Sequence, residues 1–245
     1  MNPIVIITAR MSATRLPGKP MADIDGTPMI LRVLRRAEAA GVGPVVVAAG
    51  DPEIAWAVEA AGGRAVLTDP DLPSGSDRVL AALDEVDPRG AHDVVVNLQG
   101  DMPFIDPGAV GACVAVLDAE PGCHIATLIA PESSPADRDD PAVVKAIVAL
   151  AAGERRGRAL YFTRSALYGD GPIWKHVGIY AYRRASLGRF AAAPPSPLEL
   201  REKLEQLRAL ELGMTIWAAV VDATPISVDT PADLEAARAF ARRNA

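Results

Sequence analysis

The feature that most constrains the fold of this chain is an alternation of short apolar runs with longer segments of helical period. This pattern is typical of parallel β-strands connected by crossover helices. Strands are predicted over residues 4–7, 44–48, 65–67 and 93–98. Helices are predicted after Thr27, after Asp51 and over residues 76–86. The sequence therefore predicts an α/β protein whose first part contains a mainly parallel sheet.

The first predicted helix shows how the local signals combine. Thr27 is expected to be its N-cap and Pro28 its first-turn proline. The spacing of its apolar side chains places one group on a single face: Ile30, Val33, Leu34 and Ala37. That face is predicted to pack on the sheet.

The pattern changes from about residue 125, where apolar runs lie closer together and polar, proline-rich segments separate them. We expect a mixed or antiparallel extension in this part of the chain. A single long amphipathic helix is predicted over residues 196–212, and a last core strand over residues 217–222. Thr230 and Pro231 are predicted to begin a C-terminal helix.

Composition and charge argue against several classes of protein. The formal net charge is -6, whereas a nucleic-acid-binding surface is usually basic over a broad face. Every apolar run is far shorter than the roughly 18 residues that suggest a membrane span. No signal-like segment begins the sequence, so we expect a cytoplasmic protein without membrane insertion. Cys113 and Cys123 accompany no Cys/His cluster, so neither a disulfide framework nor a zinc site is expected.

Three cations follow the first predicted strand, namely Arg10, Arg15 and Lys19. Ligands of open α/β sheets bind beyond the carboxyl ends of the strands, which is where this loop is expected. The loop lacks the glycine pattern of the Walker and Rossmann motifs, so cationic side chains would make most contacts to a phosphate. On charge alone, a solvated surface loop remains an alternative.

Two carboxylates are predicted to accompany these cations. Asp101 follows the strand predicted over residues 93–98, and Asp229 directly precedes the last predicted helix. Taken alone, Asp229 has a simpler interpretation as the N-cap of that helix. Taken together, carboxylates and cations fit a nucleoside triphosphate with Mg²⁺, which prefers oxygen ligands and shares its coordination shell with phosphates.

Several stretches then form an ordered set between about residues 4 and 238. They are TARMSATRLPGKPMADIDGTPMI, SGSDRV, VVNLQGDMPFI, LYFTRS, KHVGIYAYRR, SPLELREKLEQLRALELG and VDTPADLEAAR. Together they resemble the 3-deoxy-manno-octulosonate cytidylyltransferase family. The resemblance implies a three-layer nucleotide-diphospho-sugar transferase fold and a homodimer. It also implies transfer of CMP from CTP to 3-deoxy-D-manno-octulosonate (Kdo), with release of pyrophosphate, for lipopolysaccharide biosynthesis.

The resemblance further implies roles for individual residues. The triphosphate contacts would be Arg10, Arg15 and Lys19, and the catalytic groups Arg15, Lys19 and Asp101. The remaining nucleotide contacts would be Ser74, Gly75, Arg78 and Gln99, and the Mg²⁺ ligands Asp101 and Asp229. The sugar would contact Arg164, His176, Tyr180, Glu205 and Gln206. These roles divide a single domain of residues 1–245 into a nucleotide-binding half (about 1–123), a sugar-binding and dimerisation subregion (about 124–212), and a final strand and helix (about 213–245).

Some of the sugar assignments have structural alternatives. His176 could be a hydrogen-bonded core histidine, and one of Tyr180 and Tyr182 could serve only in packing. Glu205 and Gln206 are adjacent on a predicted helix, so their side chains would point about 100° apart and are not expected to face one sugar atom together.

The chain departs from the family pattern at four places. Thr8 stands where the family commonly has proline, Ala49-Gly50 lies in a turn that is usually Ala-Thr-Asp-like, Asp140–Ala142 replaces Asn-Pro-Asn, and the proline that often follows the LYFTR block is missing around Leu167-Tyr168. The second departure concerns the nucleotide end and the last two the sugar end. The alternatives are a cytidylyltransferase for 8-amino-Kdo or sialic acid, a transferase that uses another nucleotide, or a nucleotide-binding homologue without catalysis.

Overall fold

A computed structural model of the chain describes residues 1–13, 15–132, 134–167, 169 and 173–244. The described residues form two compact units. Unit 1 comprises residues 1–111 and 225–244, and unit 2 comprises residues 112–224. Unit 1 is therefore built from both ends of the chain.

Unit 1 alternates strands and helices. Its strands are β1 (Pro3–Ala9), β2 (Asp23–Ile24), β3 (Thr27–Pro28), β4 (Val45–Ala49), β5 (Ala65–Leu67) and β6 (Val94–Gln99). Its helices are α1 (Met29–Ala39), α2 (Pro52–Ala60), α3 (Gly75–Val86) and the last helix of the chain, Pro231–Arg243. A 3₁₀ turn covers Lys19–Met21. The main sheet has the order β5-β4-β1-β6, and each neighbouring pair in it is parallel.

Burial explains why the apolar runs of unit 1 form strands. Residues 4–7 of β1 are at most 1% exposed, and residues 46–49 of β4 are completely buried. A parallel sheet covered on both faces favours such continuous apolar runs over an alternating pattern. The face of α1 with Ile30, Val33 and Leu34 is buried, as its spacing predicts.

The entry into α1 differs from the prediction. Thr27 and Pro28 form β3 and pair with β2, so α1 begins one residue later, at Met29. Asp25 and Gly26 connect the two strands with positive φ angles of 52° and 73°. An Asp-Gly pair with two positive φ angles is a preferred hairpin turn. The predicted N-cap at Thr27 was wrong because this hairpin signal outweighs the capping signal.

Unit 2 contains a mixed sheet. Its strands are β7 (Ile125–Glu132), β8 (Lys145–Ala149), β9 (Arg156–Thr163), β10 (Ile173–Arg183) and β11 (Ile216–Val220). Helix α4 (Pro107–Ala119) begins in unit 1 and ends in unit 2. The later helices are α5 (Pro135–Asp139), α6 (Arg184–Ala191), α7 (Pro197–Glu202) and α8 (Gln206–Glu211), and the last helix is α9 (Pro231–Arg243).

The strand order of unit 2 is β10-β7-β11-β9-β8. β7 and β11 are parallel, whereas β10 with β7, β11 with β9, and β8 with β9 are antiparallel. β8 also pairs with β10 through Trp174 and Ala146. This arrangement is the mixed extension that the change of sequence pattern predicts.

The single helix predicted over residues 196–212 is wrong. α7 ends at Glu202, α8 begins at Gln206, and Lys203 between them has a left-handed conformation with φ 55° and ψ 47°. The break brings Arg208 into contact with Glu199. The Nε and Nη2 of Arg208 donate to the two carboxylate oxygens of Glu199 at 2.7 and 2.6 Å. In a straight helix these residues would lie about 13 Å apart along the axis. The break allows a buried ion pair that local periodicity does not reveal.

The observed units divide the chain at different places from the functional subregions expected from the sequence. β11 belongs to unit 2 and α9 to unit 1, whereas the expected subregion 213–245 groups them. The functional subregions stay a prediction. Among the described residues, no helix combines the length and apolar character needed to span a membrane.

We predict that Glu199→Gln lowers the free energy of unfolding by about 2–4 kcal/mol, because it leaves the buried guanidinium of Arg208 without its carboxylate. The side chains of Arg208 and Glu199 are only 5% and 12% exposed. Burial alone would raise the pKa of Glu199, but the hydrogen bonds from Arg208 and the Ser196 amide lower it. The measurement is urea denaturation.

Glu235→Gln is the matched control, because Glu235 is 66% exposed in its ion pair with Arg238. Its cost should be below about 1 kcal/mol. Equal losses in the two variants would contradict the importance of the buried pair.

Candidate active site

The candidate site of unit 1 lies at the carboxyl edge of its parallel sheet. Loops follow β1, β4, β5 and β6 at this edge, because parallel strands all end on the same side. The predicted phosphate and nucleotide residues lie in these loops, at the adjoining ends of β6 and α3, or in the 3₁₀ turn after the first loop. Asp229 reaches the same residues from the segment before α9.

Lys19 joins the two predicted metal ligands. Its Nζ donates to Asp101 Oδ2 at 2.8 Å and to Asp229 Oδ1 at 3.0 Å. Arg15 Nη2 lies 3.4 Å from the same oxygen of Asp229. The backbone N–H of Val228 donates to the carbonyl of Asp101 at 2.9 Å, so a backbone bond fixes the two acidic segments beside each other. The structure thus brings together Arg15, Lys19, Asp101 and Asp229.

Burial and charge act in opposite directions on this cluster. Burial lowers the pKa of Lys19, but Asp101 and Asp229 together outweigh it and the pKa is raised. Burial raises the pKa of Asp101, and the charge of Lys19 offsets only part of that increase. Lys19 therefore carries its positive charge at neutral pH.

The two carboxylates have the chemistry of a Mg²⁺ site. They provide oxygen ligands and already hold a cation, the Lys19 ammonium, between them. Within the part of the chain that the structure describes, no cluster of three or more His, Cys, Asp or Glu side chains could hold a metal. A Mg²⁺ ion here would need substrate phosphates and water to complete its shell, as is usual for this ion.

Asp229 is not the N-cap of α9. Thr230 has that position, and its Oγ accepts a hydrogen bond from the Asp233 amide at 3.2 Å. Asp233 returns the interaction by accepting from the Thr230 amide at 2.8 Å, which completes a capping box. The N-cap interpretation of Asp229 is therefore wrong, and its carboxylate contacts Lys19 and Arg15 instead.

Two of the predicted nucleotide contacts also have a local structural role. Ser74 is the N-cap of α3, with its Oγ bonded to the amide and carboxylate of Asp77. Arg78 is 3% exposed and donates to the carbonyls of Asp69 and Pro70 at 3.0 and 3.2 Å. Burial lowers the pKa of Arg78, and the charge of Arg10 adds to the effect. Both side chains hold the loop between β5 and α3 in shape.

Gln99 and Gly75 face Thr8, one of the departures from the family pattern. Gln99 Oε1 accepts from Thr8 Oγ at 3.3 Å, and its Nε2 donates to Asn97 at 3.1 Å. A Cβ on Gly75 would lie 3.9 to 4.0 Å from the Gln99 amide and Thr8 Oγ. The hydroxyl of Thr8 thus orients the amide of Gln99 at the sheet edge. Arg10 is exposed just beyond β1.

In unit 2, His176 and Tyr180 belong to a row of rings. The ring centroids of Phe162 and His176 are 5.0 Å apart, those of His176 and Tyr180 5.5 Å, and those of Tyr180 and Tyr182 5.9 Å. Tyr182 continues the row to Phe190 at 6.0 Å and is only 3% exposed. The two tyrosines share a strand face, and Tyr182 is the more deeply buried of them.

The ring of His176 contacts the hydroxyl of Thr127 through Nε2. Thr127 Oγ lies 2.9 Å from Nε2, and the carbonyls of Ile179 and Val177 lie 2.8 and 3.2 Å from the same hydroxyl oxygen. A neutral imidazole bonded through Nε2 keeps Nδ1 for another partner. Burial lowers the pKa of His176 to about 4, so the ring is neutral at physiological pH.

The other predicted sugar residues occupy two places. Glu205 is the N-cap of α8 and Gln206 its first residue. The carboxylate of Glu205 lies close enough to Tyr180 to raise the phenol's pKa, although burial is the larger cause. Gln206 is 6% exposed, and its Nε2 has no acceptor among the described residues. Arg164 donates elsewhere, to the carbonyls of Glu202 and Pro141.

Lys145 was missed by sequence reasoning. It is completely buried in β8, and its Nζ donates to the carbonyls of Asp140 at 2.6 Å and Arg164 at 3.1 Å. Burial lowers its pKa. The signal was a lone lysine inside the apolar run VVKAIVAL. Its contacts connect Arg164 to the segment that departs from the family pattern at Asp140.

Comparisons with known proteins give the family. A family model described as "Cytidylyltransferase" matches residues 4–216. A 3-deoxy-manno-octulosonate cytidylyltransferase from Rhodospirillum rubrum is 60% identical, over 97% of this chain and 95% of the relative. One from Rhodospirillum centenum is 62% identical, over 98% of this chain and 93% of the relative. The chain belongs to the 3-deoxy-manno-octulosonate cytidylyltransferase family.

Solved structures agree with this membership of the cytidylyltransferase family. A CMP:2-keto-3-deoxy-manno-octonic acid synthetase complexed with CTP has a TM-score of 0.90 and 40% identity, and the match covers 100% of both chains. A nucleotidyl transferase from Methanothermobacter, 14% identical with a TM-score of 0.66 over 100% of this chain and 99% of its own, shares the fold alone. The predicted family and α/β fold are confirmed, and the chain is a nucleotidyltransferase.

The low pKa of His176 leads to a prediction about stability. The folded chain binds a proton at His176 only near pH 4, whereas the unfolded chain does so near 6.5. The unfolded state therefore binds more protons between these values, and the free energy of unfolding falls as pH decreases from 6.5 to 4, by about 1–3 kcal/mol. His176→Gln should reduce that fall, as measured by urea denaturation across the window. The same pH slope in both proteins would show that the ring is already accessible to solvent.

Proposed function

We propose that the chain transfers CMP from CTP to Kdo and releases pyrophosphate, in the cytoplasm and for lipopolysaccharide biosynthesis. The observation that carries the proposal is the Lys19 ammonium held between Asp101 and Asp229, at the edge where a parallel sheet binds ligands. Membership of the family supports it, since the relatives' names give the sugar and CTP is the ligand of the similar synthetase.

The cations of unit 1 would act on the triphosphate. Arg10, Arg15 and Lys19 are fixed positive charges in and just after one loop, and such charges stabilise a leaving group best when they are positioned before the reaction. The anomeric hydroxyl oxygen of Kdo would attack the α-phosphorus, forming one P–O bond while the bond to pyrophosphate breaks, and the hydroxyl proton would be released to solvent. No nucleophile from the protein is needed. Lys19 and Arg15 would stabilise the negative charge that develops on pyrophosphate.

Asp101 and Asp229 would hold Mg²⁺, which when bound supplies positive charge that neutralises the triphosphate. Their contribution is to present oxygens on two segments that a backbone hydrogen bond keeps together. The ammonium of Lys19 offsets the repulsion between the two carboxylates, because two adjacent negative charges repel each other without a cation between them.

The sugar-acid contacts are proposed on unit 2. A guanidinium such as that of Arg164 suits the Kdo carboxylate. The neutral His176 and the buried amide of Gln206 suit hydroxyl groups, because the ring keeps Nδ1 for a further hydrogen bond and Gln206 Nε2 is a donor without an acceptor among the described residues. A buried donor without an acceptor is costly, and a sugar oxygen would satisfy it.

A homodimer is part of the proposal. Unit 2 exposes two large apolar side chains, Leu160 on β9 (53% exposed) and Leu200 on α7 (65%). Exposed apolar groups of this size are compatible with a contact to a second copy. Sedimentation equilibrium gives the oligomeric state directly, and a monomer at micromolar concentration would exclude the homodimer.

The activity is tested by measuring pyrophosphate release from CTP and Mg²⁺ with Kdo, 8-amino-Kdo, N-acetylneuraminate or no sugar. We expect release with Kdo and none without sugar. Release only with another sugar acid would retain the nucleotide half of the proposal and exclude Kdo. UTP and GTP in place of CTP test the nucleotide, and inactivity throughout would favour a non-catalytic nucleotide-binding protein.

Asp101→Asn should lower kcat at least about 100-fold, because it removes a charge that a cation requires while keeping side-chain size. Asp222→Asn is the control, since Asp222 is 90% exposed and forms a surface ion pair with Arg155. Circular dichroism checks that both variants fold. Near-normal turnover of Asp101→Asn at ordinary Mg²⁺ concentration would exclude Asp101 as a ligand.

A further inference from the structure

Asp51 occupies a helix N-cap position without acting as a cap. It directly precedes α2, where an aspartate normally accepts a hydrogen bond from the first turn of its own helix. Its side chain makes no such bond. Instead, Oδ2 accepts from the backbone N–H of Met11 at 2.7 Å, across a sequence separation of 40 residues. The carboxylate is therefore used to hold the loop that carries the cations.

Met11 is the residue on which that loop closes. Its carbonyl accepts from the amides of Ala13 at 2.8 Å and Gly18 at 3.1 Å. Gly18 has a positive φ of 70°, which turns the chain back toward Met11. Arg10 precedes Met11 and Lys19 follows Gly18, so both cations are attached directly to the closed loop. Anchoring the backbone at Met11 therefore limits where the side chains of Arg10 and Lys19 can lie.

Gly50 supports the same loop from the same turn. Its N–H donates to the carbonyl of Ala9 at 2.8 Å. A Cβ at Gly50 would lie 3.0 Å from both the Arg10 Cβ and the Arg78 Nη1, so only glycine permits this close approach without a shift. Asp51 and Gly50 therefore bind the chain on both sides of Arg10, at Met11 and at Ala9.

A carboxylate in this position also has an electrostatic cost. Asp51 lies beside a loop proposed to bind a triphosphate, which its negative charge would repel, although the nearby guanidinium of Arg78 attracts it. The hydrogen bond from the Met11 N–H offsets this repulsion, because a hydrogen bond to a charged carboxylate is stronger than one to a neutral group. The Asp51 carboxylate therefore contributes by ordering the loop rather than by contacting the ligand.

We propose that Asp51 is a positioning residue for triphosphate binding, which acts by anchoring the Met11 amide and so placing Arg10 and Lys19. The inference rests on the proposed function, because the triphosphate is the ligand that the loop would meet. Asp51 itself touches neither the phosphates nor the sugar.

The experiment compares Asp51→Ala and Asp51→Asn with the wild type. Asp51→Ala removes the acceptor and should raise the KM for CTP by about 10–100-fold, with a much smaller effect on the KM for Kdo. Asp51→Asn keeps an oxygen that can accept the same N–H, and should recover most of the loss. Hydrogen exchange at the Met11 amide should be faster in Asp51→Ala by a similar factor and close to wild type in Asp51→Asn.

Asp87→Ala is the matched control. Asp87 also binds backbone amides through its carboxylate, those of Ala91 and His92 at 2.8 Å each, but it precedes the amino end of β6. This variant should lose stability while leaving the KM for CTP and Met11 exchange unchanged. The Asp87→Ala control therefore distinguishes the effect of a general loss of stability from the effect of losing the Asp51–Met11 hydrogen bond.

The outcomes separate the inference from the proposed function. An inactive wild type would overturn the proposed function, while Met11 exchange would still test the anchor. Unchanged exchange in Asp51→Ala would overturn the anchor, and faster exchange with an unchanged KM for CTP would overturn its role in positioning. If Asp51→Asn is as impaired as Asp51→Ala, charge rather than the hydrogen bond is responsible, and the inference is also wrong.

Discussion

The candidate site depends on one interaction, the ammonium of Lys19 between the carboxylates of Asp101 and Asp229. It joins residues that lie 82 and 210 positions apart in the sequence. Two carboxylates this close would repel each other, and one would take up a proton, without a cation between them. The same arrangement keeps Lys19 charged despite burial. The acidic pair and the cation therefore stabilise one another before any ligand is present.

The rest of unit 1 serves to place that interaction. The buried parallel strands fix where each loop begins, because their apolar side chains are packed on both faces. Hydrogen bonds that do not involve the three cations then stabilise the loops. One example is the contact of Arg78 with the carbonyls of Asp69 and Pro70. A rigid sheet with well-bonded loops lets the cations keep their positions without being part of the packed core.

Local periodicity predicts those parts of the fold whose cause is local. β1 and the buried face of α1 follow from apolar spacing, and Thr230 follows from a capping box that is complete within four residues. The break at Lys203 could not be predicted in this way, because its cause is the contact between Glu199 and Arg208 in the folded chain. The roles of Lys145 and Asp51 were missed for the same reason. The charged residues of the candidate site could be proposed from the sequence because their chemistry, unlike their contacts, can be read from it.

The departures at Thr8 and Gly50 are best understood together with their neighbours. Thr8 pairs with Gln99 in the parallel register and with Ala48 on its other side, and its hydroxyl holds the Gln99 amide, which a proline could not do. A side chain larger than that of glycine at position 50 would meet Arg10 and Arg78, so these two arginines could not keep their present positions beside it. Asp51 next to it keeps the loop attached through a backbone N–H, which every residue other than proline would provide at position 11. The hydroxyl of Thr8 is bonded to Gln99, outside the Lys19 cluster, whereas the backbone of Gly50 supports the loop that carries Arg10 and Lys19. A change of side chain at position 8 should therefore affect the cluster less than a change at position 50.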